Sequence, residues 1–397
     1  MRILYVFSLW TGMQNFFLKG EEKITGMPAF ANVFFRLLEN KNIEKLYLLL
    51  FLRYKEISNN HNINIPLKFK NKLEIVPIFY TNSYDLLFKI PISLLKGIML
   101  VKKNKIDLIY GHGSIGALAG ILSLFSKKPN IRRIYGTFLY KEIKDSKISL
   151  FMKHPLEYLA FSLPAKCVII TNDGTHGDAV FKKIGNKGTM LIFILNGVDK
   201  SMEEKIKPVP FALPQKYISY IARIDYWKRQ HLAIEALNIL KQKGLNIPLY
   251  IIGPTYNTKY YSFLKTLIEK YELTNFVYLI GALPREETWF ILKNSYLTLS
   301  LYETSNLGNV FLESLVLGVP VIGINNNGSL DFFPQDTFYS VDSDKPYVIA
   351  RAIEDLWNNK KKRDNISYNA KNFALNSLMT WEERTKLEID LLLKGRH

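Results

Sequence analysis

The 397-residue chain contains one cysteine, Cys167, so it can form no internal disulfide bond. It also lacks any apolar run that approaches the roughly 18 residues of a membrane-spanning helix. The opening stretch "MRILYVFSLW" is followed by polar residues and not by a small-residue cleavage site, which favours a β-strand over a signal peptide. These absences predict a protein of a reducing compartment, and we expect it in the cytoplasm.

Acidic residues are scarce in the first half of the chain. Residues 1–200 hold 29 Lys and Arg against 14 Asp and Glu, a balance of +15, whereas the second half holds 24 against 21, a balance of +3. The asymmetry indicates an anionic partner of the first half: nucleic acid, a membrane surface or a phosphorylated substrate. No nucleic-acid-binding motif accompanies it, so we predict no nucleic-acid partner. The alternative is a compositional bias of the whole chain toward Lys, Asn and Ile. Such a bias would by itself raise the charge of the second half as well.

Lysines recur at regular intervals in one segment of this basic half. In "KIPISLLKGIMLVKKNK", Lys89, Lys96 and Lys103 are seven residues apart and would share one face of a helix. Together with the charge excess, this spacing suggests docking on an anionic membrane surface. The alternative is an ordinary solvated helix face.

Strand-like and helix-like segments alternate along nearly the whole chain. Near-continuous apolar strands that alternate with helices predict parallel sheets covered on both faces. The stretch "KPVPFALPQ" interrupts the alternation with three prolines and is typical of a linker. We therefore predict an α/β protein with two Rossmann-like domains, at residues 1–207 and 208–380, whose parallel sheets face each other across a cleft.

Two cations follow the first strand of the predicted second domain. In "YIARIDYWKRQHLAIEAL", Arg223 ends the strand, and Lys228 and Arg229 begin the next helix. Cations at a helix N-terminus oppose the helix dipole, at about 0.3–1 kcal/mol each. A bound diphosphate would reverse that sign by meeting the cations and the helix N–H groups together. The alternative is an exposed basic turn.

A carboxylate interrupts the apolar stretch "NVFLESLVLG", which otherwise predicts a buried helix. Gly318 supplies its C-cap, since glycine accepts the left-handed conformation there. Glu313 lies one turn into the helix, and a buried carboxylate needs donors, which a ribose or sugar diol offers. Gly308 would let a phosphate approach the start of the helix. The alternative for Glu313 is a structural pair with a core Arg or Tyr.

A histidine lies in the turn of "IDLIYGHGSIGALAG". Gly111, Gly113 and Gly116 around His112 match the spacing GxGxxG of dinucleotide-binding loops, but the expected acidic residue about 20 positions later is missing. We therefore expect the glycines to permit close packing and to leave His112 facing the cleft. A structural histidine is the alternative.

A pair of aspartates, Asp342 and Asp344, forms the pattern DxD, which can hold a divalent metal. The pair lies in a polar loop that precedes a helix, so we predict helix capping instead. No Walker loop, HExxH motif or cluster of Cys and His is present, and we predict no metal.

Several motifs together resemble the retaining family-4 glycosyltransferases of the GT-B fold. They are "LNGVD", "ARIDYWKRQHLAIEAL", "VYLIGAL", "NLGNVFLESLVLGVPVIG" and "MTWEERTKLEIDLL", with looser matches at "IDLIYGHG", "CVIITN" and "GMPAF". The resemblance covers almost the whole chain. It implies transfer of a sugar from a nucleoside diphosphate donor, UDP- or GDP-linked, to a hydroxyl acceptor, without a cofactor or metal.

The same resemblance assigns roles in the nucleotide site. Arg223, Lys228, Gly308 and Asn309 would bind the donor diphosphate. Glu313 matches the second acid of the family's Glu-x7-Glu motif and would accept hydrogen bonds from the ribose hydroxyls.

The sugar site carries a departure from the family. Ser305 stands where the family has its first Glu; Glu303, two residues earlier, is the alternative carboxylate, or Ser305 and Asn306 bind the sugar themselves. His112 matches a histidine that contacts the transferred sugar, so His112, Glu303 and Ser305 are the predicted catalytic residues. The C-terminal helix, residues 381–397, would cross back to the first domain.

The predicted function is retaining glycosyl transfer in the assembly of a bacterial surface polysaccharide or lipid-linked glycan. The expected partners are the nucleotide-sugar donor, a glycan or lipid-linked acceptor and an anionic membrane surface on the inner face of the cell membrane. The alternatives are a GT-B sugar-nucleotide epimerase, a nucleotide-sugar-binding protein without transferase activity, and a nucleotide-dependent oxidoreductase based on the GxGxxG match.

Overall fold

The structure is a computed structural model that describes residues 1–10, 12–22, 24, 26, 28–54 and 63–395. Its contacts divide the chain into two compact units. The first unit comprises Met1–Asn172, His176–Ile194 and Trp381–His397, and the second comprises Asp173–Thr175 and Leu195–Thr380. Within the described ranges, no helix combines the length and the apolar content that crossing a membrane requires.

A seven-stranded sheet, parallel throughout, forms the centre of the first unit. Its strands are β1 (Arg2–Ser8), β2 (Lys45–Arg53), β3 (Leu73–Tyr80), β4 (Leu108–His112), β5 (Asn130–Ile134), β6 (Cys167–Thr171) and β7 (Met190–Ile194). They lie side by side in the order β3-β2-β1-β4-β5-β6-β7. Parallel neighbours need crossover connections, and helices supply them.

Helices cover both faces of this sheet. They are α1 (Pro28–Glu39), α2 (Ser83–Lys103), α3 (Ala117–Ser126), α4 (Lys147–Lys153), α5 (Pro155–Ser162), α6 (Gly177–Ile184) and, from the end of the chain, α13 (Trp381–Lys394). Side chains of β1 alternate between the faces: Ile3, Tyr5 and Phe7 pack on the side of α1 and α13, whereas Leu4 and Val6 pack on the side of α2 and α3.

The second unit is built on a six-stranded sheet, again parallel throughout. Its strands are β8 (Ile218–Ile221), β9 (Leu249–Ile252), β10 (Val277–Gly281), β11 (Leu297–Ser300), β12 (Val321–Ile324) and β13 (Tyr339–Val341). Their order across the sheet is β10-β9-β8-β11-β12-β13. The helices are α7 (Gln230–Gln242), α8 (Thr258–Lys270), α9 (Arg285–Asn294), α10 (Asn309–Leu317), α11 (Pro346–Asn358) and α12 (Lys360–Ser377).

The α/β class and the two Rossmann-like parallel sheets predicted from the alternation are confirmed. The division between the units falls after Ile194, earlier than the proline-rich stretch on which the boundary at residue 207 was based. Leu195, Val198 and Met202 explain this, because they pack in the core of the second unit.

A buried ionic network joins α13 to the sheet of the first unit. Glu388, fully buried, lies 3.2 Å from Nε of Arg133 and 2.8 Å from Nη1 of Arg384, and it accepts a hydrogen bond from the hydroxyl of Tyr110. Arg133 and Tyr110 belong to β5 and β4. Since neither arginine can lose its proton, the single carboxylate compensates two buried positive charges.

We expect Glu388→Gln to destabilise the first unit by about 3–5 kcal/mol, because it leaves two buried guanidinium groups without an anion. Urea unfolding followed by tryptophan fluorescence measures the loss. Glu382→Gln on the same helix is the control: Glu382 makes one exposed contact of 3.5 Å to Arg36, and its loss should change stability by about 0.5 kcal/mol at most. Equal midpoints for the two variants would contradict the assigned role of Glu388.

Candidate functional site

The strand order of the second unit reverses between β8 and β11, so the connections after these two strands leave in opposite directions. In an open parallel sheet, such a point leaves a crevice at the carboxyl ends of the strands, where ligands bind. Residues 222–229 follow β8 there, and residues 301–308 follow β11. The two segments touch, since the N–H of Glu303 donates to the carbonyl of Trp227 at 2.9 Å.

Lys228 places its ammonium between two aromatic rings of these segments. Nζ lies 3.6 Å from the ring centre of Tyr302 and 4.1 Å from that of Trp227. The ion pairs described in this segment involve Arg223 and Arg229 and not Lys228. Burial, followed by repulsion from the guanidinium of Arg223, lowers the pKa of Lys228 to about 7.

Arg223 also contacts the Trp227 ring. Its guanidinium carbon is 4.6 Å from the centre of Trp227 and 5.1 Å from that of Tyr256. Its contact with Asp225 is long, at 4.0 Å, and its buried Nε has no hydrogen-bond partner among the described residues. The structure thus brings the two predicted phosphate-binding cations to one aromatic ring, with little acidic compensation for either.

The segment after β11 turns at Ser305, whose φ of +57° is left-handed. The Ser305 hydroxyl hydrogen-bonds to the buried carboxylate of Asp173. Thr175 donates both its N–H, at 3.1 Å, and its hydroxyl, at 2.6 Å, to the same carboxylate. Burial raises the pKa of Asp173, although these hydrogen bonds oppose the rise. Ser305, a predicted sugar contact, is therefore engaged by the protein, while Glu303 is half-buried two residues upstream.

Asn306 is committed to the fold of this loop. Its side-chain amide donates to the carbonyl of Ile324 at 2.6 Å and to the hydroxyl of Ser329 at 2.7 Å, and the residue is 1% exposed. Its Oδ1 is pressed against Gly174: a Cβ on that glycine, whose φ is +89°, would lie 2.2 Å away. These contacts give the amide group of Asn306 a structural role. Its Oδ1 has no hydrogen-bond partner among the described residues, so the predicted sugar contact stays a prediction.

The helix α10 begins at the same edge of the sheet, directly after this loop. No side chain caps its N-terminus, and a Cβ built on Gly308 would meet only the carbonyl oxygen of Ser305, at 3.7 Å. The side chain of Asn309 is oriented by Asn196, whose Nδ2 donates to Asn309 Oδ1 at 2.8 Å. An uncapped N-terminus with space before it suits an anion, because the first N–H groups of a helix lack helical partners.

Glu313 is buried at 7% exposure, but its charge is not alone. Nη2 of Arg285 donates to it at 2.8 Å, and the guanidinium of Arg285 lies over the ring of Trp289 at 4.7 Å. Burial raises the pKa of Glu313, and the attraction of Arg285 opposes the rise. The predicted C-cap at Gly318 is confirmed by its φ of +65°. Arg285, from α9, therefore supplies the structural partner that the sequence left unidentified.

His112 ends β4 in the first unit and is 1% exposed. It stacks on Tyr5 at 4.6 Å between ring centres, and its Nδ1 lies 2.8 Å from the hydroxyl of Tyr135. Burial, with a smaller contribution from Arg133, holds the pKa of His112 well below its ordinary value, so the ring is neutral. Its Nε2 is buried without a partner among the described residues. The structure thus buries His112 among aromatic side chains, as the structural alternative expects, and its contact with a sugar through Nε2 stays a prediction.

The GxGxxG spacing reflects packing. A Cβ on Gly111 would lie 2.6 Å from the Cβ of Ala119 and 2.8 Å from the Cα of Gly116, so both glycines allow α3 to approach β4 closely. Gly113 adopts a φ of +59° in the turn. The expectation that these glycines serve close packing is confirmed.

The prediction that Asp342 and Asp344 cap a helix is wrong. Lys345 precedes α11, whose N-terminus has no side-chain cap. Asp344 instead lies 3.3 Å from Nη1 of Arg229, a residue held in the left-handed conformation at the start of α7. In the described ranges, no group of three His, Cys, Asp or Glu side chains is placed to hold a metal.

Sequence reasoning missed most of the residues that surround the predicted ligands of each site. Trp227 and Tyr302 hold Lys228, Asp173 holds Ser305, Arg285 pairs with Glu313, and Tyr135 orients His112. The contact of Trp227 with Lys228 could have been predicted, because the two residues are adjacent in "DYWKRQ". The others are distant in sequence from the residues they contact and carry no local signal.

Comparisons with known proteins show which families this chain resembles. Residues 201–373 match the family described as "Glycosyl transferases group 1", a segment that contains Arg223, Lys228 and Glu313. The capsular polysaccharide biosynthesis glycosyltransferase CapM of Staphylococcus aureus is 24% identical over 316 residues, which cover 73% of this chain and 78% of CapM. This segment of the second unit is therefore similar to the group 1 glycosyltransferases.

Solved structures match over the whole chain. Anabaena HepE in complex with UDP superposes with a TM-score of 0.69 at 16% identity, covering 99% of this chain and 100% of HepE. WaaG, a glycosyltransferase involved in lipopolysaccharide biosynthesis, gives 0.64 at 14% identity and 98% of each chain. At such identities the likeness shows the fold, and the predicted GT-B fold is confirmed.

The Glu313–Arg285 pair predicts unequal effects of its two members. Arg285→Ala leaves the buried carboxylate without its cation and should cost about 3 kcal/mol of ligand-free stability. Glu313→Gln should cost about 1 kcal/mol or less, because Arg285 is 43% exposed and stays hydrated. If Glu313 also binds the donor ribose, Glu313→Gln lowers nucleotide affinity about tenfold, or by about 1.4 kcal/mol.

Thermal melting without ligand and calorimetric titration with nucleoside diphosphates measure the two effects separately. A large loss of stability in Glu313→Gln, together with unchanged nucleotide affinity of the folded protein, would show that this carboxylate is structural only.

Proposed function

We propose that the protein is a metal-independent, retaining glycosyltransferase of family 4. It transfers a sugar from a UDP- or GDP-linked donor to a hydroxyl of a glycan or lipid-linked acceptor. The match of residues 201–373 to the group 1 family supports glycosyl transfer. The complexes of HepE with UDP and with UDP-glucose support a nucleotide-sugar donor for this fold.

One observation carries the proposal: two cations meet at the carboxyl end of β8, and neither forms an ion pair shorter than 4.0 Å with a described residue. Lys228 is held by aromatic rings at a lowered pKa of about 7, and the guanidinium of Arg223 stacks beside it. A structural role would favour a carboxylate here, since burying an uncompensated charge is costly. A diphosphate supplies the missing negative charge, and the nearby loop leads to the uncapped N-terminus of α10.

The same groups suit the chemical step. Cleavage of the bond between the sugar and the diphosphate leaves negative charge on the departing phosphate. That charge would be stabilised as it develops by Lys228, Arg223 and the free N–H groups at the start of α10. A metal ion performs this task in other transferases. We assign the ribose hydroxyls to Glu313 and a sugar hydroxyl to Nε2 of His112.

The retained configuration of the sugar is part of the proposal and follows from the family resemblance. In such enzymes the acceptor hydroxyl attacks on the face that the phosphate leaves, and the departing phosphate takes up its proton. Fixed cations behind the phosphate favour this path, because they hold the leaving group in place while the acceptor approaches.

The acceptor class is proposed from the relatives. CapM is named for capsular polysaccharide biosynthesis, and WaaG for a role in lipopolysaccharide biosynthesis. We therefore propose that this protein acts in the assembly of a bacterial surface glycan, in the cytoplasm and at the inner face of the cell membrane.

Thermal-shift screening against UDP, GDP, ADP and their sugars identifies the donor, and incubation of that donor with glycan or lipid-linked acceptors then tests transfer. The proposal expects product in the presence of EDTA, with the anomeric configuration of the donor by NMR. An epimerised donor formed without acceptor would establish the epimerase alternative. Tight nucleotide-sugar binding without any product from a broad acceptor panel would favour the binding-protein alternative.

The lowered pKa of Lys228 predicts that diphosphate binding takes up a proton. In the ligand-free protein at pH 8, the Lys228 side chain, with a pKa of about 7, is mostly the neutral amine. A bound anion raises this pKa, so Lys228 takes up a proton and becomes charged. Affinity should therefore fall as the pH rises above about 7. Calorimetry in buffers of different ionisation enthalpy measures the uptake.

Lys228→Ala and Arg223→Ala should each weaken nucleoside diphosphate binding by about 1.5–3 kcal/mol, the range for charged hydrogen bonds. The proton uptake should disappear in Lys228→Ala. It should persist but become smaller in Arg223→Ala, because the repulsion of Arg223 contributes to the lowered pKa of Lys228. Lys361→Ala, on an exposed helix position, is the matched control and should bind like the parent protein. Unchanged affinity in both site variants would show that the diphosphate does not bind at the carboxyl end of β8.

A further inference from the structure

The outward face of α2 in the first unit is apolar along almost its whole length. A surface helix ordinarily exposes polar side chains and buries its apolar stripe. On α2, large apolar side chains are between 47% and 82% exposed at positions that follow the helical repeat. They are Tyr84, Leu87, Phe88, Ile92, Leu95 and Met99. An exposed apolar stripe of about four turns indicates an interaction surface.

The opposite face of the same helix is buried in the ordinary way. Leu100 and Val101 pack in the core with strands of the first unit, and Gly97 allows close contact with α3, since a Cβ there would lie 2.7 Å from Leu122. The exposed stripe therefore does not arise from a helix that points its apolar face at solvent and its polar face at the core. The helix α2 has two apolar faces, one buried and one exposed.

Lysines border the exposed stripe on one flank. Lys89, Lys96 and Lys103 recur at seven-residue intervals, and none of them makes an ion pair with a residue that the structure describes. The helix has one acid, Asp85, which accepts hydrogen bonds from the N–H and hydroxyl of Thr81. The flank is therefore positively charged without acidic compensation.

The neighbouring helix continues the same pattern. One turn beyond Leu122, which contacts Gly97, α3 ends with Leu124 at 57% and Phe125 at 70% exposure. Lys127 and Lys128 follow directly. Exposed apolar side chains next to lysines thus occur on two packed helices of one layer.

We propose that α2 lies flat on an anionic lipid bilayer, with its exposed apolar side chains among the acyl chains and the flanking lysines against lipid phosphates. An amphipathic helix binds a membrane surface in this way, through apolar burial together with attraction to anionic headgroups. The sequence suggested docking from the lysine spacing alone. The structure places those lysines at the border and an apolar face at the centre.

A second copy of the chain fits this surface less well. In a two-fold dimer the same face meets itself, so the lysine flanks would face a surface that offers no acidic residue except Asp85. Protein interfaces are also depleted in lysine. An anionic bilayer complements both the apolar stripe and its positive border. The proposal does not depend on the transfer reaction, because membrane binding needs no donor.

Flotation with lipid vesicles tests the proposal. The full-length protein is mixed with phosphatidylcholine vesicles, or with vesicles that also contain phosphatidylglycerol, at low and high salt. We expect it to float with the anionic vesicles, to float poorly with the neutral ones, and to be partly released by salt.

Two double variants separate the contributions. Phe88→Ser with Leu95→Ser removes apolar insertion and should abolish flotation on both kinds of vesicle. Lys89→Gln with Lys96→Gln should weaken binding to anionic vesicles by about fivefold per lysine and leave the weak neutral binding unchanged. The matched controls lie in the second unit: Tyr347→Ser with Tyr368→Ser, and Lys259→Gln with Lys361→Gln, which should float like the parent protein.

Folding and nucleotide binding are measured on each variant. The substituted α2 side chains are outside the core, so unchanged melting temperature and unchanged nucleoside diphosphate affinity are expected, and they separate this proposal from the proposed function. Equal flotation on neutral and anionic vesicles would overturn the proposal, as would parent-like flotation of both α2 variants. A concentration-dependent dimer that Phe88→Ser with Leu95→Ser abolishes, without vesicle binding by the parent, would identify a second copy as the occupant.

Discussion

The reversal of strand order between β8 and β11 is the constraint on which the candidate site depends. Because the connections leave these two parallel strands in opposite directions, the space beyond their carboxyl ends is left open for a ligand. The segment after β8 brings Lys228 to that space, and the segment after β11 supplies Tyr302, the loop at Ser305 and the start of α10. The position of the site thus follows from the strand order, and its charge follows from the side chains that come directly after β8 and β11.

The cost of burying charge separates structural from binding groups. Glu388 is compensated by two arginines, and Glu313 by Arg285. The buried Arg132 donates to the carbonyls of Leu159 and Leu163, at the C-terminal end of α5, where a cation is favoured. Lys228 lies against aromatic rings and forms no close ion pair with a described residue. Burial and the repulsion of Arg223 lower its pKa more than the attraction of Asp173 and Asp225 raises it. A charge that the fold leaves uncompensated is the best physical indication of where an anionic ligand belongs.

The sequence predicted the architecture well because alternating apolar strands and helices are a long-range pattern that local side chains carry. It also predicted the helix α10 and placed Arg223 and Lys228 after β8. Arg223, however, lies two residues beyond the end of the strand, and Lys228 lies in a turn that precedes α7. The sequence could not identify Arg285 beside Glu313, or Asp173 beside Ser305, because these pairs are brought together only by the fold. The apolar face of α2 was missed because its residues alternate with the buried ones, and the sequence alone does not distinguish two apolar faces from one. For Asn306, the sequence could not show that the loop itself uses both amide hydrogens and leaves Oδ1 without a described partner.

The central claim is that a nucleoside diphosphate binds at the carboxyl end of β8 in the second unit. A crystal structure of the protein with UDP, or with the nucleotide that binds most tightly, tests it most directly. The account predicts diphosphate oxygens at hydrogen-bond distance, about 2.7–2.9 Å, from Nζ of Lys228 and the guanidinium of Arg223. It also predicts that Nζ turns from the Tyr302 ring toward the phosphate. A nucleotide bound elsewhere, with Lys228 still against Tyr302, would contradict the claim.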